Sequence, residues 1–237
     1  MVRGPSALLA AAGGGIAYLL LAPALPDLGD GEAAVLVPGS IGLVLIGVLA
    51  LCLIDLRDSA VLAALLGLGA ALLAAAMTVA EAGAVADVPK ALFAAAVGIV
   101  LARVLATPVV VLAVPLFVAA IDLWSVSSGP TSRLLARESG EVDFLAFTIP
   151  AWGGGEVGRL GISDVIFLAF FAALAWRYGL RRLVTGAALV GALVGVLVVE
   201  VAIDRALPVL PFLAAALLLP NLDRLPSLLK PETEEDG

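Results

Sequence analysis

Asp122 and Asp164 are the residues of this chain whose type and placement offer chemistry. Asp122 lies in PLFVAAIDLWSV and Asp164 in RLGISDVIFLAFF, each within an apolar run and with no Lys, Arg or His beside it in that run. An ionised side chain inside a membrane span costs roughly 2.5–3.5 kcal/mol on insertion scales, so an acid kept there is a functional candidate by default. Asp122 falls late in one run and Asp164 early in the next. On consecutive antiparallel helices the two lie at similar depth and can face each other. Two facing carboxylates in a low dielectric cannot both ionise and therefore share a proton. One then acts as the general base that activates a water, and the other as the acid that protonates the reacting group. That is the chemistry of peptide-bond hydrolysis, and it needs no metal or cofactor. The same spacing suits two aspartates that line the polar cavity of a transporter or sit at the membrane interface, and spacing alone does not separate these readings.

The elements that must position these acids are membrane spans. Hydrophobic residues make up 62% of the 237 residues and charged residues 14%, with a mean hydropathy of +1.17. A soluble domain is roughly half apolar and a quarter charged, so this chain needs lipid as its solvent. Apolar runs fall at about 7–21, 33–54, 59–80, 91–105, 108–126, 162–178, 183–201 and 206–219. Each is long enough, or nearly so, to cross a hydrocarbon core of about 30 Å. The first run, followed by APALPD, also fits a signal peptide with a small-residue cleavage site. The expected fold is an all-α polytopic bundle of about eight spans, or nine. It divides into N-terminal transmembrane helices over 1–106 and a second half over 107–237 that carries the aspartates.

Several function classes are excluded by composition. The chain has no histidine and a single cysteine, Cys52, so zinc-protease motifs, Ser-His and Cys-His nucleophiles and disulfide frameworks lack their parts. The net charge is −7, in part from the tail PETEEDG, and no basic stretch alternates with aromatics. Nucleic acid is not an expected partner. Arg and Lys in the short loops, above all Arg57 and the WRYGLRR turn with Arg177, Arg181 and Arg182, place both termini in the cytoplasm and the long 127–160 loop outside. Lys90, Arg133, Arg137, Arg159 and Arg205 fall on the outer side of this scheme.

Two further segments bear on the aspartates. The apolar piece VDFLAFTIPAW before Asp164 is too short to span, and reads as an interfacial or re-entrant segment or as a strand over a cavity. ALPVLPF places Pro208 and Pro211 at the start of the last run, where they remove backbone donors and interrupt regular helix. An unwound edge at membrane depth is tolerated only beside protein or a wet cavity, and such an edge can pair with an extended peptide. A Pro-kinked helix start is the alternative.

Together these segments resemble the intramembrane aspartyl proteases of the GxGD type, the presenilins and signal peptide peptidases. AIDLWSV is similar to their YD-containing helix, RLGISDVIF to their GxGD-containing helix, and ALPVLPF to their PAL motif. The three stand in the family's order over about half of the chain. The resemblance implies Asp122 and Asp164 as the catalytic pair. It implies Gly161, Ser163, Pro208, Val209 and Leu210 as residues at the substrate, with no cofactor and with transmembrane segments or signal peptides of other proteins as partners. The sequence departs from the family at Ile121 for the Tyr, Ser163 for the second Gly and Val209 for the Ala. The family has nine spans where eight runs are counted here. Prepilin peptidases also use GxGD, with a first Asp in a segment like CLIDLR. Their Pro-Asp/Asn element and following Lys are absent here, so Asp55 and Asp58 read as a solvated inner turn. Glu200 and Asp204, near Arg205, read as an interfacial charge group.

Overall fold

The computed structural model describes residues 5–105, 107–128 and 145–228. Arg3, Arg133, Arg137, Glu138, Glu141, Asp143, Lys230 and the acidic tail lie outside the described residues. The chain is mostly helical, and a helix occupies each of the eight apolar runs. These helices are α1 (Pro5–Leu21), α2 (Glu32–Leu53), α3 (Ala60–Val79), α4 (Asp87–Val104), α5 (Val110–Ser128), α6 (Ile162–Arg177), α7 (Arg182–Ile203) and α8 (Leu210–Leu218). A short α9 (Leu225–Leu228) follows.

Among the described residues, five segments are long and apolar enough to cross a membrane: Ser6–Ala24, Glu32–Leu53, Ala60–Val79, Gly83–Val104 and Arg182–Ile203. The apolar helices Val110–Val126 and Leu210–Asn221 are shorter, and α6 has 16 residues. α6 is not a lipid-facing element. Its sequence IFLAFFAALA has no polar face, and a helix apolar all round belongs in a protein interior. From Leu168 to Ala175 every residue of α6 is buried, enclosed by α2, α4, α7 and α8, with α5 touching it lightly. Large apolar side chains are instead exposed along the outer helices, such as Leu72 on α3, Phe117 and Trp124 on α5 and Leu183 on α7. A surface of this kind is stable against lipid tails and not against water.

α4 packs closely on α6. A Cβ at Gly98 would collide with the backbone of Ile166 and Phe170, so only glycine lets these two axes come together. α2 similarly packs on α7 through Gly39 and Gly47, facing Leu197 and Val190. Small residues at helix interfaces are how membrane bundles gain close van der Waals contact. The segments before and after residue 107 therefore share one core.

The expectation of an all-α chain needs one correction. The apolar piece before Asp164 forms a strand, β1 (Ala146–Pro150), paired antiparallel with β2 (Glu156–Gly161). Alternation explains it: Phe147 and Ile149 are buried while Ala146 and Thr148 are partly exposed, the period of two of a half-buried strand. Gly153, Gly154 and Gly155 close the hairpin with φ of 83°, 109° and 87°, values that side chains with a Cβ rarely adopt. β2 runs without a break into α6. The hairpin is thus the platform from which Asp164 is presented.

Candidate active site

Asp164 is the third residue of α6. Its Oδ2 accepts a hydrogen bond of 3.1 Å from the backbone N–H of Gly161, the residue that caps the helix. A carboxylate at this position also meets the positive end of the helix dipole. The cap fixes the side chain over the strand-to-helix junction, and it requires room. A Cβ on Gly161 would stand 3.0 Å from Asp164 Oδ2 and 3.3 Å from Ser163 Oγ. A side chain at Gly161 would therefore crowd this cap. Ser163 is exposed, so its side chain is not wedged between α5 and α6, as a position chosen for close helix approach would be.

Asp122, half-buried on α5, is held by a different element. Its Oδ2 accepts a 2.9 Å hydrogen bond from the backbone N–H of Leu210, with the Val209 amide beside it. Residues 204–209 are non-helical, and α8 begins only at Leu210. The prolines account for this. Pro208 and Pro211 carry no N–H, so the donors left in this stretch turn outward to side chains. Asp122 and Asp164 are close enough for their charges to interact. Among the described residues neither has an ion-pair partner. Two acids from consecutive helices, each with one oxygen fixed by a backbone amide, thus stand within range of each other's charge, and Asp122 is tied to the first residue after the unwound proline-rich segment.

The structure brings together Asp122, Asp164, Gly161, Val209 and Leu210, with Pro208 buried between the last two and the end of α7. It leaves Asp55 and Asp58 elsewhere. They occupy the 3-10 turn Ile54–Asp58, and Asp58 lines a cavity with Ala173, Trp176 and Arg177. At 1.5 Å of rise per residue, that is about 14–20 Å along α6 from Asp164. Among the described residues no group of three or more Cys, Asp or Glu could hold a metal ion.

Two features escaped the sequence reading. Lys90, read as an outer loop charge, is buried in α4 and ion-paired with Asp87 at 2.9 Å. Asp87 Oδ2 accepts from the Thr148 N–H at 2.6 Å, and Lys90 Nζ donates to the Ala146 carbonyl at 3.2 Å. The pair thus satisfies the edge of β1 that faces away from β2, as a neighbouring strand would. The signal available in the sequence was the opposite charges three apart in VADVPKALF, at neighbouring positions of a helix start. The second feature is Glu200. Read as part of an interfacial charge group with Asp204 near Arg205, it is half-buried and its side chain accepts a 2.7 Å hydrogen bond from the Leu207 N–H.

Comparison with known proteins adds no relative: no family model, curated protein or solved structure matches this chain.

Proposed function

We propose that the chain is an intramembrane aspartyl protease of the GxGD kind, with Asp122 and Asp164 as the catalytic pair. The observation that supports the reading is the nearness of these two acids, from α5 and α6, with Asp122 bonded to Leu210 at the end of the non-helical stretch before α8. In this reading water binds between the carboxylates. The ionised one takes its proton as the water attacks the peptide carbonyl, and the protonated one gives its proton to the developing tetrahedral centre. Backbone groups of Pro208, Val209 and Leu210 flank the extended substrate, while Gly161 and Ser163 border it from the α6 side. Substrates are transmembrane segments or signal peptides of other membrane proteins. The deciding experiment is cleavage of a transmembrane peptide by the purified protein in lipid, lost on Asp→Asn substitution of either residue.

The reading includes eight spans in the cell membrane with both termini cytoplasmic. In a Cys52→Ala background, cysteines introduced at Ser139 and Ser227 will label from opposite sides of the membrane, with Ser139 outside. Labelling of both from one side, by an impermeant maleimide on intact cells and inverted vesicles, would rule out the eight-span arrangement.

Ser163 gives a second expectation. The side chain is exposed and stands at the second position of α6, so replacing it with the family's Gly removes nothing that packs. Ser163→Gly will keep at least half of the proteolytic rate, with a stability change of about 1 kcal/mol or less, the propensity cost of Gly. Loss of more than about tenfold in rate at unchanged stability would mean that the hydroxyl orients the water or an aspartate.

A further inference from the structure

The last turn of α7 is organised around one residue, Glu200. Its main-chain carbonyl accepts from the N–H of Asp204, which caps the helix in the left-handed region at φ 50°, and from the N–H of Arg205 at 3.1 Å. Its side chain accepts from Leu207 N–H at 2.7 Å. Three residues later Leu210 N–H is taken by Asp122. The stretch between α7 and α8 is therefore gripped at both ends by carboxylates, one from α7 and one from α5. Backbone bonding cannot do this work, because Pro208 and Pro211 interrupt the donor series on either side of Val209.

We propose that Glu200 is a positioning residue of this site, which holds the Leu207–Leu210 stretch in the unwound form that a substrate backbone meets. The inference rests on the protease reading for its kinetic consequence and on the hydrogen bond alone for its structural one. An extended substrate is bound by backbone groups of known spacing, and an acceptor that fixes the segment beforehand spares the ordering cost at binding. Glu200 makes its side-chain bond to Leu207 and not to either aspartate, so its loss loosens substrate binding and leaves the acid–base pair in place.

The test uses full-length protein in lipid with two readouts. Glu200→Ala will raise KM for a transmembrane peptide about 10- to 100-fold, the range for loss of a hydrogen bond to a charged acceptor, with kcat within about threefold. Glu200→Gln, which retains a carbonyl oxygen for Leu207 N–H, will return KM to within about threefold of the parent. Amide hydrogen exchange over 204–212 will quicken about tenfold or more in Glu200→Ala and not in Glu200→Gln. If Glu200→Ala does not yield folded protein, Glu200→Asp carries the same test, since it keeps the charge and withdraws the acceptor by one methylene. Unchanged exchange and unchanged KM in the Ala or Asp variant would overturn the proposal. A fall in kcat alone, as from a partly unfolded population, would do so as well. A parent protein that cuts no peptide, with exchange still quickened in Glu200→Ala, would sink the protease reading while leaving Glu200 as the holder of the segment.

Discussion

Asp122→Asn and Asp164→Asn, each made alone, will reduce cleavage of a reconstituted transmembrane peptide to background, a loss of at least about 10²- to 10⁴-fold. The substitution keeps the size of the side chain and an amide oxygen able to accept. The hydrogen bonds from Leu210 and Gly161 can therefore survive, and thermal midpoints in detergent will stay within a few degrees of the parent. What is lost is the shared proton. In the parent, activity will follow a bell in pH, because the doubly ionised pair has no acid and the doubly protonated pair has no base. Groups that act as one unit are not additive, so the double Asn variant will be scarcely slower than either single one. A transporter that uses the same aspartates would cut nothing and would show ion-coupled flux that disappears in the Asn variants. An inert helix-binding homologue would bind the peptide without cutting it. A parent that cuts no transmembrane peptide at any pH, or an Asn variant that still cuts, ends the protease assignment.

What could be read from the sequence was whatever local chemistry dictates. Apolar runs specify helices through their length and hydropathy, and each run is a helix. The expense of burying Asp122 and Asp164 marked them before any fold was known. Pro208 and Pro211 marked the unwound stretch because proline cannot donate. The shortness of the apolar piece before Asp164 was enough to raise a strand among the readings of that segment, but its partner β2, with Gly158 and Arg159, has no β-rich composition and emerges only from pairing. Positions that depend on what lies across a helix interface were beyond reach. Ser163 drew attention as the missing glycine of the motif, whereas the close approach to α6 is made by Gly98 on α4, far away in sequence. Lys90 counted as a loop charge because the positive-inside rule treats every basic residue near a span end alike. Burial and a partner three residues away make it a different object. Glu200 was grouped with Asp204 and Arg205 by proximity in sequence, although its side chain bonds seven residues ahead.

The Asp87–Lys90 pair carries the largest expected effect on stability. Both residues are buried, at 4% and 5% exposure, and together they satisfy the Thr148 N–H and the Ala146 carbonyl on the edge of β1 opposite to β2. Taking two charges into a low dielectric is expensive, and their mutual attraction with added hydrogen bonds roughly offsets it. Removing one partner takes a buried counter-charge from the other, which costs about 3–5 kcal/mol. Asp87→Leu and Lys90→Met, each alone, will therefore lower the thermal midpoint in detergent by roughly 6–20 °C for a chain of this size. The double variant takes both charges out together and will recover at least half of the loss seen in either single variant, so the cycle will show a coupling of at least about 4.5 kcal/mol between the two positions. A surface-type pair would show less than about 1 kcal/mol in either single variant, and that outcome would mean that water reaches the pair and that β1 is held by its pairing with β2 and its apolar side chains. The cycle also bears on Asp164. β2 continues into the helix that carries it, and the Ile162 N–H is bonded to the Leu145 carbonyl at the start of β1. A hairpin freed from α4 will let the Gly161–Asp164 cap drift, and proteolysis in the single variants will fall by more than the loss of folded protein accounts for. In the double variant the Thr148 N–H and the Ala146 carbonyl remain without their side-chain partners, so the fold will recover further than the activity.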